Sequence, residues 1–182
     1  AAMRAPVLAL FFADDAALLA AAHASAEVTH GHPLSIAGAQ LIALATRGLL
    51  QRQSAGQMLD ALDHLNLPDE LARRLQLTRQ WLEAGTHPDA AEVARKLGNG
   101  MTATTSCVTA LYIALRHLEC GFDEMMAFVI QCGGDVDTIA AMAGALWGVR
   151  NGVQALPQLR IEARDEIDRL GQRIFDKVQS AL

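Results

Sequence analysis

Aromatic residues are nearly absent from this chain, at 4% of 182 positions. A platform for stacking nucleic-acid bases needs more of them. No run of Lys or Arg stands out and the formal charge is −5, so the basic footprint of a nucleic-acid binder is missing too. Cysteine is scarce and odd in number: Cys107, Cys120 and Cys132 form no Cys-x-x-Cys pair. That excludes a disulfide framework and a zinc site of the usual spacing, and a reducing cytoplasm is the expected setting. Long hydrophobic runs are also lacking. Residues 5–13 and 133–149 are apolar but too short to span a bilayer, so no membrane association is expected. No segment shows the alternation of a strand bounded by turns, and no fixed-period repeat, low-complexity stretch or linker breaks the chain.

What remains is helix-forming sequence. With 52% hydrophobic and 19% charged residues the chain is a folded one, long enough for a substantial core. The reading is all-α: a compact orthogonal bundle of about eight or nine helices in a single domain, residues 1–182. A short helix is expected over residues 7–12. Asp14 or Asp15 caps the next, over residues 16–28. Pro33 opens a helix running to about Arg52. Ser54 and Gln57 form a capping box for a helix to about Leu65. Pro68 and Asp69 open another, ending near Gly85. Pro88 begins the next, closed by Gly98. Helices over residues 104–119 and up to Cys132 follow, the latter capped by Asp123. The last, over residues 159–178, is expected to pack as an outer layer through Ile161, Ile167, Leu170, Ile174 and Val178.

Gly133-Gly134-Asp135-Val136-Asp137-Thr138 organises the rest. Two glycines permit a tight turn or a close approach. Two carboxylates and a hydroxyl then stand where a helix begins. They serve either as an acidic cap on a core helix or as oxygen ligands for a hard cation such as Mg2+ or Mn2+. One Asp is enough for a cap, and a second beside it is repelled unless a cation neutralises the pair. The helix behind is rich in small residues. Ala140, Gly144 and Gly148 make one face nearly smooth and suited to close helix packing.

Two other stretches carry polar groups at breaks between helices. Thr29-His30-Gly31-His32-Pro33 is either a polar loop or a ligand or metal site. The His-x-His spacing is not the i, i+4 spacing of a helical metal pair. Gly98-Asn99-Gly100-Met101 is a tight loop with exposed backbone groups. Read alone it is a helix cap followed by a turn.

Together these pieces resemble the ADP-ribosylglycohydrolase family. The residues from Gly133 to Ala140 are similar to its Gly-Gly-Asp-Thr-Asp-Thr signature, with Val136 in place of the central Thr. Ala1-Ala2-Met3-Arg4 looks like the end of its Gly-Asn-Gly-(Gly/Ala)-Ala-Met-Arg segment. Thr29-His30 matches a Thr-His pair, and Leu97-Gly98-Asn99-Gly100 a second Gly-Asn-Gly loop. The order is the family's, and the resemblance covers essentially the whole chain. It implies an all-α fold and Mg2+-dependent hydrolysis of the glycosidic bond between ADP-ribose and an acceptor, with two Mg2+ ions and Mn2+ as an alternative. Asp135, Asp137 and Thr138 would be metal ligands, Asp137 bridging both ions. His30 would contact the ADP-ribose, and Asn99, Gly100 and Met101 would line the adenosine side. Met3 and Arg4 would end the loop around the ribose and pyrophosphate. The substrate would be an ADP-ribosylated protein or a small molecule containing ADP-ribose.

Two family segments find no match here: the Gly-Asp-x-x-Gly type and the Thr-Asp-Asp cluster, which supply the other metal ligands. The chain opens without Met and reads like the middle of a domain. The resemblance therefore implies the C-terminal portion of such an enzyme, with its metal site about half built. A complementary N-terminal polypeptide would complete it, and the general acid or base would lie there. Two competing readings stand beside this one. The chain could be a non-catalytic ADP-ribose-binding or structural relative, including an inactive half-site, or a helical interaction domain with an acidic cap.

Overall fold

The computed structural model describes residues 1–157 and 161–180, and within them the protein is helical without strands. After a 3-10 turn at Ala2–Arg4 come α1 (Ala5–Leu8), α2 (Asp15–Glu27), α3 (Pro33–Leu50), α4 (Ala55–Asp63) and α5 (Asp69–Glu83). Then follow α6 (Ala90–Leu97), α7 (Ala103–Arg116), α8 (Phe122–Cys132) and α9 (Val136–Asn151). A second 3-10 turn (Val153–Ala155) leads to α10 (Arg164–Gln179). Among the described residues there are thus ten α-helices, where eight or nine were expected. The all-α class holds.

The helix starts follow local chemistry. Asp14 caps α2 by accepting from the Ala17 N–H. Pro33 occupies the first turn of α3, where its missing N–H costs nothing. Ser54 and Gln57 complete the capping box of α4. Other boundaries differ. The first helix covers Ala5–Leu8 and not residues 7–12. Pro88 lies outside α6, because Asp89 takes the cap position and accepts from the Glu92 N–H. Gly121 is the N-cap of α8, and Asp123 sits inside its first turn.

Helices α3, α7 and α9 form the centre, and α1, α2 and α8 pack around them. By length and composition α3 could cross a membrane, but most of it is buried inside this core. Tyr112, Leu111, Val108, Leu41, Ile42 and Trp147 on these three helices are buried. Tyr112 packs against Trp81 of α5 and Trp147 against Phe122 of α8. Trp147 donates from Nε1 to the carbonyl oxygens of His117 and Cys120, at 3.1 and 3.2 Å, which satisfies its one polar atom.

The close helix approach is not where the sequence put it. The buried face of α9 is Ile139, Met142, Ala143, Leu146 and Trp147. Gly144 meets Phe122 and Met126 of α8 at ordinary contact distance, and Gly148 faces open space. The tight crossing is α3 on α7. A Cβ at Gly38 would lie 2.8 Å from both the Ala103 Cβ and the Cys107 Sγ.

The expectation that α10 packs as an outer layer is also corrected. None of its residues is buried, and Ile167, Leu170 and Phe175 are all more than half exposed. Its apolar stripe is a face with the capacity to bury, and no described helix lies along it. Leu159, where that helix was expected to begin, lies outside the described residues.

His117 is the one histidine in the core, at 4% exposure. Its Nδ1 lies 2.8 Å from the Ile113 carbonyl oxygen, and its ring tilts against Phe128. Burial, more than any neighbour, pushes its pKa below the ordinary 6.5. The neutral ring is therefore favoured in the fold. Its contribution to stability is complete above the unfolded pKa and is lost as pH falls below it through the lower folded pKa.

Two outcomes are expected. Gly38→Ala should lower the urea midpoint, because overpacking at this crossing costs about 1–3 kcal/mol and exceeds the helix-propensity gain of up to about 1 kcal/mol. An unchanged midpoint would disprove the steric limit. His117→Gln should shrink the loss of stability between about pH 7 and pH 5, measured by urea titrations at each pH. An identical slope in both proteins would remove His117 as a cause.

Candidate functional site

Three helix N-termini converge on one cleft of about 670 Å³. Leu34 and Ser35 come from the start of α3, and Thr102, Ala103 and Thr104 from the start of α7. Asp135, Asp137 and Thr138 come from the start of α9. His30 and His32 form part of the rim, and Ala1, Ala2 and Met3 close another side. Each N-terminus brings the positive end of a helix dipole. At α3, Pro33 has no N–H and His32 takes those of Leu34, Ser35 and Ile36. The cleft is thus suited to negative charge although it holds no Lys or Arg.

The acidic turn is held in place by a clamp. Gly133 and Gly134 both have positive φ, at 64° and 71°. The Asp135 N–H donates to the Asn99 carbonyl oxygen at 2.7 Å. The Asn99 side chain donates from Nδ2 to the Cys132 carbonyl oxygen at 2.8 Å. A Cβ at Gly134 would stand 2.1 Å from the Asn99 carbonyl oxygen, so only glycine allows this approach. The Asn99 loop is in turn fixed to α7. Gly98 has φ 95° and lies against Thr105, and the Thr109 hydroxyl donates to the Gly98 carbonyl oxygen at 2.7 Å.

Asp135 occupies the N-cap position of α9, yet its side chain makes no capping hydrogen bond. The acidic-cap reading required one. Asp137 is exposed, and its Oδ1 accepts from the Thr138 N–H at 2.9 Å. Hydrogen bonding with Asp135, then with the Thr138 N–H, holds the Asp137 carboxyl below the usual carboxylate range. The two carboxyl groups are therefore close enough to interact. Two such groups, left to themselves, share a proton or repel.

Two neighbouring carboxylates and a hydroxyl, left uncapped at the mouth of a cleft, match the oxygen donors that Mg2+ or Mn2+ takes. The donor number is short of a full shell. Among the described residues no group of three or more His, Cys, Asp or Glu could hold a metal ion.

Of the residues singled out in the sequence, Asp135, Asp137, Thr138, Met3, His30 and Met101 line the cleft. Asn99, Gly100 and Arg4 are not among the lining residues. Asn99 is engaged in the clamp. The Arg4 guanidinium is spent on the C-terminal end of α2, donating to the Ser25 hydroxyl, the Ser25 carbonyl oxygen and the Thr29 hydroxyl. Ser35, Thr102, Thr104 and Ser106 line the cleft without having been picked out. Pro33 marked one of these helix starts and the helix expected from residue 104 the other, which was the available signal. That those starts share one cleft was not visible along the chain.

The fold and cleft define an all-helical protein with oxygen donors gathered where helices begin. The ADP-ribosylglycohydrolase family model matches residues 1–181, and the chain belongs to this family. Zebrafish (Danio rerio) ADP-ribosylhydrolase ARH3 is 31% identical over 96% of the chain and 56% of its own length. The human (Homo sapiens) ARH3 is 33% identical over 86% of the chain and 52% of its own length. Escherichia coli YegU, an uncharacterized protein, is 29% identical over 94% of the chain and 52% of its own length. The chain thus spans about half the length of these curated relatives.

Gly134→Ala tests the clamp. The positive φ alone costs on the order of 1–3 kcal/mol for a residue with a side chain, and the Cβ also meets the Asn99 carbonyl. The variant should lose stability in urea and lose hydrogen-exchange protection at the Asp135 amide. Retained protection would mean that the turn does not depend on this contact.

Proposed function

We propose that this chain carries the cation-binding part of an ADP-ribosylhydrolase, which cleaves the glycosidic bond between ADP-ribose and an acceptor with the help of Mg2+. The observation that carries this reading is the uncapped pair Asp135 and Asp137 beside Thr138, facing a cleft built from helix N-termini. Family membership and the name of the ARH3 relatives support it. The substrate is an ADP-ribosylated protein or an ADP-ribose-containing small molecule.

Asp135, Asp137 and Thr138 would hold the cation. When bound, it supplies a water of lowered pKa and polarises the oxygens it touches. The protein residues do the rest of the positioning. The Asn99 clamp keeps the carboxylates at the cleft edge. Backbone N–H groups at the start of α7, with the dipole of α3 beside them, face the negative charge of a pyrophosphate, which removes the need for a basic patch. Met101 and Met142 give apolar cleft wall for the flat or sugar-bearing parts of the ligand. Two carboxylates are few for a complete site. A complementary N-terminal polypeptide with further acidic groups is part of this proposal.

The small donor set also favours a second reading, a non-catalytic ADP-ribose binder on the same fold. The two part in their activity once the upstream acidic groups are supplied.

Calorimetry of ADP-ribose with this chain, in Mg2+ and in chelator, tests the site. Binding is expected in Mg2+ and at least about tenfold weaker in chelator, a difference of about 1.4 kcal/mol. Asp137→Asn should abolish the Mg2+ dependence and leave the helical circular dichroism unchanged. Equal binding in all three conditions would rule out a cation role for Asp137.

A further inference from the structure

We propose that Arg4 and Thr29 are positioning residues that lock His30 as its Nε2–H tautomer. With His32 it then presents a pair of N–H donors to oxygen atoms of a ligand in the cleft. The ligand half of this inference rests on the ADP-ribose reading; the tautomer half does not.

The chain of bonds fixes the hydrogens. The Arg4 guanidinium can only donate. It lies 2.7 Å from the Thr29 Oγ1, so that oxygen accepts. The same Oγ1 lies 2.8 Å from the His30 Nδ1 and has no other hydrogen-bond partner among the described residues. Were Nδ1 protonated, the exposed Thr29 hydroxyl would accept twice and donate to solvent. Placing the single hydroxyl hydrogen of Thr29 on Nδ1 instead gives every donor in this chain of bonds a protein acceptor. Nε2 is left as the protonated nitrogen, and it has no protein partner among the described residues.

His32 reaches the same state by a different route. Its Nδ1 accepts from the Leu34 N–H at 3.2 Å, capping α3. A backbone amide always donates, so Nδ1 is again the lone-pair nitrogen and Nε2 carries the hydrogen. Both rings belong to the lining of the cleft. Two Nε2–H groups, held by separate second partners, suit oxygen acceptors and oppose ligation of a metal through Nε2. On this proposal the His-x-His segment is a ligand site.

The arrangement also gives Arg4 a reason to be an arginine. Its fork spans the Ser25 hydroxyl and carbonyl and still reaches Thr29. A lysine offers one compact ammonium and does not cover that span in a plane.

The test is long-range 1H–15N correlation of the imidazoles in 15N-histidine-labelled chain, near pH 8, where unperturbed imidazoles are neutral. His30→Gln and His32→Gln assign the two rings. Both wild-type rings are expected in the Nε2–H pattern. Thr29→Val should move His30 to a mixed pattern and leave His32 unchanged, and Thr29→Ser should restore it. A wild-type His30 in the Nδ1–H pattern, or no change in Thr29→Val, would overturn the lock. ADP-ribose with Mg2+ should then bind about 3- to 10-fold more weakly to Thr29→Val, the worth of about one hydrogen bond, with rescue in Thr29→Ser. Equal affinity would overturn the ligand half. Absence of ADP-ribose binding by the wild-type chain would count against the function proposed above, and the tautomers would still be read.

Discussion

The geometry of the acidic turn depends on one residue of a distant loop. Asn99 uses its backbone carbonyl to hold the Asp135 amide and its side-chain amide to hold the Cys132 carbonyl. One residue thus bridges the end of α8 and the start of α9. Each bond is worth about 1 kcal/mol net, and two glycines in the left-handed region give up conformational freedom to permit them. The return is orientation. Because backbone groups satisfy the turn, the Asp135 carboxylate is not consumed as a helix cap. Thr109 ties the Asn99 loop to α7 in the same way. The carboxylates are therefore referenced to the core through two short contacts, and the exposed chain around them carries little of that task.

The opposite wall of the cleft is anchored by arginines that never reach it. Arg4 binds the final turn of α2, where unpaired carbonyls and the negative end of the dipole favour a cation. Arg47 reaches from α3 to the carbonyl oxygens of Phe12 and Ala13 and pairs with Asp15 at 2.6 Å. These contacts fasten the first fifteen residues to α2 and α3. The Gly38 crossing then brings α3 against α7 at the smallest separation the side chains allow. Both walls meet the same helix, so the width of the cleft is set by packing in the core.

Much of this was legible in the sequence wherever the cause is local. Ser54 and Gln57 announced their capping box, Pro33 its helix start, and the Gly133-Gly134-Asp135 turn its place at the head of a helix. Asp14 was one of two caps named for its helix, whereas Asp89 went unread beside Pro88, which shifted the start of α6. What escaped depends on partners far along the chain. Asn99 reads as a residue open to a ligand, because nothing nearby in sequence reveals that Cys132 and Asp135 claim it. Arg4 looks free for a phosphate for the same reason, since Ser25 and Thr29 are more than twenty positions away. The small residues of α9 suggested a tight interface, but the bulky residues of the same helix face the core. In α10 the periodicity was read correctly and its consequence was not, since amphipathicity does not specify a partner.

The acidic balance of the chain agrees with this design. Asp135 and Asp137 sit close together at the edge of a cleft with no Lys or Arg in its lining. Without a cation, that edge repels a phosphate-bearing ligand, and the helix N-termini opposite it work against the repulsion. With a cation bound, the same carboxylates are neutralised and the field of three helix dipoles is uncovered. On the proposed reading, cation and ligand therefore favour each other, and the coupling is reciprocal: each raises the affinity for the other by the same factor. A basic patch would bind pyrophosphate without the cation and would lose that coupling. On that reading, the shortage of basic residues in the cleft is the feature that would make ligand capture conditional on the metal.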